Sequence, residues 1–509
     1  MTMKKLIALL LALCMVLALT ACSEPASEDT EREEQEVEYE ESDEEKSLLF
    51  DADELVADKT GEDEAEKEKE EEAPAEEETP AEEEKPAEEE KPAEEEKPAE
   101  EEKPAEEEKP AAAAADIDFS FTPSGAVPSG FEAQVLVDNE YCTATLTDYD
   151  PDGGWGAELT LELVNKTDAE IMFSIGDAAV NGVMCDPFWA NSVDAGATEE
   201  SVVTFDEENM EDAGINYLQE IRAAVRIYNN EDWSVDEYFE DEIVIMLPAA
   251  GSGDPISMPE YDFEPVVLLN NEDYTFAVMD YDANGYYGPC ITVLSVNRTD
   301  ESVYFSIDDA IVNGVMCDPF WSEEVFGNSM SLKTIEWDEE DLEFCGINYL
   351  KDITLLMNIS TVEEYQNCFE GELSLTLEGG SGPAAEEVFY DGFEDVVLVE
   401  ENGVSVVAKY FDLDGYWGPT LTLHLINDQN VPVYFFVDNA WVNGNELDPF
   451  WGKTIAANSV GYVEIDWNED DFEECGIEAV ETIELEFCIQ EDGNWSNNLF
   501  EDTVTLTLG

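Results

Sequence analysis

The stretch that decides the fold reads Val180-Asn181-Gly182, followed by Asp186-Pro187-Phe188-Trp189. The pattern returns twice, as Val312-Asn313-Gly314 with Asp318-Pro319-Phe320-Trp321 and as Val442-Asn443-Gly444 with Asp448-Pro449-Phe450-Trp451. The copies are 132 and 130 residues apart. Similarity at a long fixed period indicates that one domain-sized unit has been duplicated. The sequence therefore predicts three units of one fold, at residues 117–248, 255–378 and 386–509.

Alternation of apolar and polar residues dominates each unit. It is clearest in three equivalent segments, Leu159–Val164, Ile291–Val296 and Leu421–Ile426. This alternation predicts strands with one buried face. One short helical turn follows an acidic cap in each copy, starting at Asp206, Asp338 and Asn468 and stopping at a glycine. We predict an all-β fold of three tandem immunoglobulin-like β-sandwich domains, each with one short helical turn.

Four recurring features support this reading. They are a Gly-Pro after an aromatic pair, which the second and third units carry, an alternating strand that ends in Asn, the Val-Asn-Gly, and a Gly-Ile after the acidic turn. The three units resemble uncharacterised immunoglobulin-like domains in surface lipoproteins of Gram-positive bacteria. The resemblance implies the sandwich fold; these are domains of unknown function, so it implies no activity.

The N-terminus has the pattern of an export signal. Met1–Lys5 supply a short positive region, Leu6–Leu19 are apolar, and Leu19-Thr20-Ala21-Cys22 ends in cysteine. The apolar run is too short to span a bilayer as a mature helix. The tetrapeptide resembles the lipobox of bacterial lipoproteins, which implies a signal peptide at residues 1–22 and a lipid anchor on Cys22. The expected location is the extracytoplasmic face of the cell membrane; an ordinary secreted protein is the alternative.

Residues 23–115 are mostly Glu, Lys, Pro and Ala, with a six-residue repeat of Pro-Ala-Glu-Glu-Glu-Lys. Too few apolar residues are present to offset the entropy of ordering, so we predict a disordered acidic spacer. As a flexible coil it would span roughly 55 Å, and as polyproline II about 290 Å. It fits a stalk that carries the three units away from the membrane. Weak capture of divalent cations is the alternative use.

Charge excludes one class of partner. Residues 116–509 contain 85 acidic and 8 basic side chains, a net charge of −77. A surface of this charge repels polyanions, so we expect no nucleic-acid partner.

An acidic loop precedes the alternating strand in each unit and is a candidate Ca²⁺ site. Its oxygen ligands would be Asp148, Asp150 and Asp152, then Asp280, Asp282 and Asn284, then Asp412 and Asp414. Alternating oxygen ligands before a glycine begin a calcium loop, but the glutamate expected at its twelfth position is replaced by Leu159, Ile291 and Leu421. An ordinary hairpin turn is the alternative.

Two aromatic columns are candidate ligand contacts. The first is Trp155, Tyr287 and Trp417, and the second is Trp189, Trp321 and Trp451. Such rings could stack on sugars, or they could anchor the core. In particular, Asp-Pro-Phe-Trp fits a turn that places both of its aromatic residues in the core.

Catalytic residues do not recur. The chain has one histidine, His424, on an alternating strand where we expect it to be exposed. With one histidine, no triad or histidine-based metal site can repeat across the units, so we predict no enzyme activity. The cysteines of one unit align with Leu, Ala or Tyr in another, which favours buried thiols; a disulfide private to the second unit stays open.

These observations lead to one functional hypothesis and one alternative. We predict a non-enzymatic cell-surface lipoprotein that displays three binding or adhesion modules on an acidic stalk. Its partners would be the membrane, through Cys22, and a glycan, cell-wall or protein ligand. The alternative is a structural spacer in the envelope that binds divalent cations diffusely.

Overall fold

The structure, a computed structural model, describes residues 121–230, 237–380, 382–416, 418–494 and 497–508. The predicted signal peptide, Cys22 and the acidic spacer lie outside the described residues, as does Trp417. Within the described part, 27 strands and three short helices form three sets of nine strands and one helix, which we name modules 1, 2 and 3.

The elements of module 1 are β1 (Gln134–Asp138), β2 (Cys142–Asp150), β3 (Gly156–Asn165), β4 (Ile171–Val180), β5 (Val183–Met184), β6 (Trp189–Val193), β7 (Thr198–Asp206), α1 (Glu207–Asp212), β8 (Glu220–Asn229) and β9 (Phe239–Met246). Those of module 2 are β10 (Val266–Asn270), β11 (Tyr274–Asp282), β12 (Cys290–Asn297), β13 (Val303–Val312), β14 (Val315–Met316), β15 (Ser322–Val325), β16 (Ser329–Glu336), α2 (Glu339–Phe344), β17 (Asp352–Thr361) and β18 (Asn367–Thr376). Those of module 3 are β19 (Val396–Glu401), β20 (Val404–Asp412), β21 (Thr420–Asn427), β22 (Val433–Val442), β23 (Asn445–Glu446), β24 (Gly452–Ile455), β25 (Ser459–Asp466), α3 (Glu469–Cys475), β26 (Thr482–Glu491) and β27 (Asn498–Thr507).

Each module is a sandwich of two sheets. In module 1, β1-β2-β3-β7 form one sheet, and β4, β8 and β9 form the other, with β5 and β6 on the free edge of β4. The apolar residues of the alternating strands face inward and form one buried cluster that draws on both sheets. Modules 2 and 3 repeat this order. The predicted all-β, immunoglobulin-like sandwich with one short helix in each copy is confirmed.

Val-Asn-Gly forms the hairpin between β4 and β5. Asn181 and Gly182 have φ of 53° and 76°, the left-handed values that a two-residue hairpin turn requires. The Asn181 side chain then donates to the carbonyl of Tyr217 at 2.7 Å and accepts from the backbone N–H of Gln219 at 3.0 Å. Asn313 and Asn443 have the same conformation and the same type of contacts. The asparagine thus shapes the turn and ties it to the segment before the next long strand.

The asparagine at the end of the alternating strand closes the opposite side of each module. Asn297 is buried, and its Nδ2 donates to the carbonyls of Glu301, Val325 and Phe326 at 2.8 to 3.2 Å. Asn165 and Asn427 make the equivalent three bonds. Because a buried amide must find partners, this residue fixes the crossing from one sheet to the other.

Strand pairing continues from one module to the next. The two-residue strand β5 of module 1 pairs parallel with β16 of module 2, where Val183 opposes Met330. Likewise β14 of module 2 pairs with β25 of module 3, where Val315 opposes Val460. The second sheet of one module and the first sheet of the next therefore form a single nine-stranded sheet.

Apolar side chains reinforce these joints. Met330 and Leu332 of module 2 belong to the buried cluster of module 1, and Tyr462 of module 3 belongs to that of module 2. Met316 of module 2 in turn belongs to the cluster of module 3. Three cores are present in the described residues, and each includes side chains from a neighbouring module.

The connections between modules are held by backbone contacts. Their Gly, Ser and Ala content predicts flexible linkers. In the structure, Asn216 N–H donates to the carbonyl of Pro255 at 2.8 Å, and Ser257 N–H donates to that of Gly214 at 2.7 Å. The second connection repeats both bonds, from Asn348 and Glu386. The difference arises because the Gly-Ile turn after each helix offers backbone groups that composition alone does not reveal.

The outer ends of the array carry polar residues at the joint positions. Thr198 and Glu200 of β7 stand where β16 has Met330 and Leu332. At the other end, β23 reads Asn445-Glu446 where β5 and β14 read Val-Met. Polar outer faces on terminal repeats disfavour addition of a further repeat.

Replacing Leu332 by Glu, the residue that module 1 carries at this position, tests the joint. We expect Leu332→Glu to lower the free energy of unfolding by at least about 3 kcal/mol, because it places an unpaired charge in a shared apolar cluster. Denaturant unfolding of the full chain measures this. The matched reverse change, Glu200→Leu, should alter stability by less than about 0.5 kcal/mol. Equal midpoints for Leu332→Glu and the parent chain would show that the joint contributes nothing.

The joint between modules 1 and 2 also gathers acidic side chains. Burial raises the pKa of Glu323 and Glu324 to about 7 and that of Asp177 to about 6, and nearby carboxylates add to the effect. A neighbouring cation, Lys333, lies 3.8 Å from Asp186. In the joint between modules 2 and 3, Lys453 stands at the position of Glu323 and pairs with Asp309 at 2.7 Å. Carboxylates also lie near one another in the second joint, where burial raises the pKa of Asp318 and nearby Asp309 and Asp308 raise it further, but there a lysine replaces the glutamate at this position.

The free energy of unfolding should fall as the pH rises from about 4 to about 7. The unfolded carboxyls ionise near pH 4, whereas the folded ones retain protons up to about pH 7, so ionisation favours the unfolded chain between these values. We expect Glu323→Gln to raise the melting temperature at pH 8 and to leave it unchanged at pH 4. Calorimetry of the full chain measures both values. Glu372→Gln, which removes an exposed charge from the same module, is the control and should show no such pH-dependent gain.

Candidate functional site

The Asp-Pro-Phe-Trp loop presents an exposed phenylalanine in every module. Phe188, Phe320 and Phe450 are 85%, 86% and 92% exposed. Their φ values are 45°, 47° and 47°, in the left-handed region where a bulky residue is strained. The same strained backbone and the same outward side chain thus occur three times. The expectation that this phenylalanine enters the core is wrong.

Short hydrogen bonds hold the loop in this conformation. Asp318 accepts from the backbone N–H of Phe320 at 2.8 Å, and Asp448 accepts from that of Phe450 at 3.0 Å. In module 1, Asp186 instead accepts from the backbone N–H of Ala178 at 2.7 Å. The loop crosses from β5 to β6, or from their counterparts, along the edge of the long strand β4.

The tryptophan of the same loop turns inward. Trp189, Trp321 and Trp451 are half-buried and pack against the cores of their modules. The Trp321 ring lies 6.0 Å from that of Phe276, and Trp189 Nε1 donates to Ser201 Oγ at 3.1 Å. The loop therefore divides its two aromatic residues between core and solvent. Ligand contact by these tryptophans stays a prediction.

A second set of exposed aromatics lies in the loop before the alternating strand. Trp155 is 79% exposed and Tyr287 is 52% exposed; both belong to the first column of candidate ligand contacts. Tyr286 and Tyr416, which the sequence analysis did not single out, are exposed at 89% and 91%. In modules 1 and 2 the loop is anchored to the start of the helix, because Glu207 and Glu339 donate their N–H groups to the carbonyls of Trp155 and Tyr287.

One buried tryptophan connects the two aromatic loops of module 2. The backbone N–H of Trp337 donates to the carbonyl of Pro289 at 3.1 Å, beside the loop that carries Tyr286 and Tyr287. Its Nε1 donates to the carbonyl of Cys317 at 3.1 Å, three residues before Phe320. Trp467 makes both bonds in module 3. Both loops are thus fixed to a single core residue.

Carboxylates of the candidate calcium loop accept hydrogen bonds from the backbone and so stabilise turns. Asp150, Asp282 and Asp412 each accept from the backbone N–H two residues later, at 2.8 to 3.0 Å. Across the described ranges, no group of three or more His, Cys, Asp or Glu side chains is arranged to hold a metal ion. The calcium prediction for Asp148, Asp152, Asp280, Asn284 and Asp414 therefore has no coordination geometry to support it.

His424 is half-buried, which corrects the expectation that it is exposed. Its ring stacks on Tyr462 at 4.4 Å, and burial lowers its pKa. Nearby, the buried Lys409 pairs with Glu387 at 3.0 Å and Asp395 at 2.6 Å. Glu387 follows the connection from module 2, so these ion pairs hold that connection against module 3. We find a structural role for each of these groups, and the absence of enzyme activity stays a prediction.

Comparisons with known proteins add little. No family model matches the chain, and no curated protein is similar to it. Among solved structures it is similar to the Salmonella enterica SafA pilin in complex with the SafB chaperone, at 13% identity over 43% of this chain and 89% of that chain, with a TM-score of 0.13. A likeness at this level carries no functional argument. No helix in the described ranges is long and apolar enough to cross a membrane.

The division of the loop gives a direct test. We expect Trp321→Ala to lower the free energy of unfolding by about 2–3 kcal/mol, because it removes a ring that packs on the core. Phe320→Ala should change it by less than about 0.5 kcal/mol, because its ring contacts mainly solvent. Denaturant unfolding of both full-chain variants measures the difference. Similar losses in the two variants would contradict the assignment.

Proposed function

We propose that this chain is a non-enzymatic surface protein whose three modules bind a ligand through their exposed aromatic loops. The observation that carries the proposal is the strained and exposed phenylalanine that recurs at Phe188, Phe320 and Phe450. A folded module gains no stability from such a residue, and strained residues cluster at binding sites. The proposed location is the outer face of the cell membrane, with Cys22 as the lipid anchor.

Repetition makes weak contacts useful. Burying one phenylalanine against a ligand contributes about 1.5–3 kcal/mol, which is too little for stable binding alone. Three such contacts on modules joined by paired strands act together through effective concentration. The joints would therefore support binding by keeping the three loops in a fixed relation.

The chemistry of the surface restricts the ligand. The net charge of −77 over residues 116–509 disfavours polyanions. Exposed Trp155, Tyr286 and Tyr287 add ring faces to those of the phenylalanines. A neutral glycan, a cell-wall polymer or a protein with apolar pockets and basic residues fits this combination.

Replacing all three phenylalanines by asparagine separates binding from folding. Asparagine tolerates the left-handed conformation, so we expect the triple variant to keep or slightly raise its melting temperature. Binding of the full chain to glycan arrays or purified cell wall should fall at least tenfold. Single variants should lose less, because two contacts remain.

The control replaces two exposed aliphatic residues outside the loops, Val135→Thr with Val397→Thr, and should bind like the parent chain. The proposal fails if the parent chain binds none of these targets, or if the triple variant binds as well as the parent.

A structural spacer is the second candidate, and the continuous strand pairing across both joints favours it. In this role the carboxylates would hold divalent cations diffusely, without a defined site. A saturable ligand of micromolar affinity that depends on the phenylalanines would argue against it. If the chain is a spacer, isothermal titration with Ca²⁺ should show many weak binding sites per chain whose affinity falls as salt is added.

A further inference from the structure

Module 2 brings two cysteine side chains into contact, whereas its neighbours do not. Cys317 follows β14 and Cys345 caps the end of α2, and both belong to the buried cluster of module 2. The neighbouring Cys345 thiol is the largest cause of the raised pKa of Cys317. Cys345 Sγ also lies 3.5 Å from the carbonyl oxygen of Met316, the residue that precedes Cys317. Both are free thiols in this structure.

The sister modules each lack one of the pair. In module 1, Cys185 is matched with Ala213, and in module 3, Leu447 is matched with Cys475. Ala213 is buried, so Cys185 has a methyl group at the position that Cys345 occupies. Cys475 is exposed and is the last residue of α3, which Gly476 caps. Modules 1 and 3 therefore serve as internal controls, because each has a cysteine at only one of the two positions.

We infer that Cys317 and Cys345 are a disulfide site, formed by exchange with a small-molecule disulfide such as oxidised glutathione. A thiolate of the pair attacks the exogenous disulfide, forms a mixed disulfide and releases one reduced glutathione. The second thiolate then attacks the protein sulfur of the mixed disulfide and releases the other. The protein loses two protons and two electrons, and the exogenous disulfide is reduced to two thiols.

The timing of this reaction follows from burial. The neighbouring Cys345 thiol and burial raise the pKa of Cys317 far above its usual range, so little thiolate forms in the folded module. In the unfolded chain both thiols ionise near pH 8.5. The bridge should therefore form during folding and then be protected from reductants. It would tie the loop that carries Phe320 to the end of α2.

Mapping of the disulfide tests the inference on the full chain. The chain is refolded in a mixture of reduced and oxidised glutathione, alkylated in denaturant and digested without reduction. We expect one linked peptide pair that joins Cys317 to Cys345 and is two hydrogen atoms lighter than the free peptides, with Cys185 alkylated. Alkylation of both Cys317 and Cys345, or a link from either to another cysteine, would overturn the inference.

Thermal unfolding provides a second readout that does not depend on peptide recovery. Reduction should lower the melting temperature of the oxidised parent chain by roughly 5 °C, because the cross-link restricts the unfolded chain. Cys185→Ala should keep this shift, and Cys345→Ala, the residue type that module 1 carries there, should abolish it. A shift that persists in Cys345→Ala would contradict the assignment.

Discussion

Parallel pairing of a two-residue strand with the next module is the interaction on which the rest of the structure depends. Val183 opposite Met330, and Val315 opposite Val460, convert separate sandwiches into continuous nine-stranded sheets. Without this pairing, Met330, Leu332 and Tyr462 would expose apolar surface to water. Sheet continuity and shared cores therefore support each other, and the Val-Asn-Gly hairpin places the short strand where both can form.

The two joints use different chemistry at equivalent positions. The first combines Met258 and Met279 in an apolar cluster and collects carboxylates around Lys333, whereas the second has Glu387 paired with Lys409 and Lys453 paired with Asp309. Buried charges need partners within the same joint, so each such pair is matched to one neighbour. Asp309 and Lys453 lie in different modules, so exchanging modules would separate this pair, whereas Glu387 and Lys409 belong to one unit and would stay together.

The loops that project from this framework have the properties expected of contacts with a partner. In Asp-Pro-Phe-Trp the tryptophan packs on the core, whereas the phenylalanine is exposed to solvent and has a strained backbone. In modules 2 and 3, Trp337 and Trp467 respectively hold this loop and the aromatic loop before the alternating strand to one buried residue. Rigid placement of exposed rings reduces the entropy lost on binding, which is why aromatic contacts on ordered loops can be effective despite small area.

The sequence by itself determined the features that local chemistry controls. The period of the repeats, the strands with one buried face and the acidic caps of the helices were all predicted, because alternation and capping depend on a few adjacent residues. Only the tertiary structure decided that Val183-Met184 forms a strand with the next module, that Phe320 faces solvent while Trp321 packs inward, and that Cys317 meets Cys345. Each of these outcomes depends on a partner distant in sequence, and no local pattern distinguishes a residue that will find such a partner from one that will not.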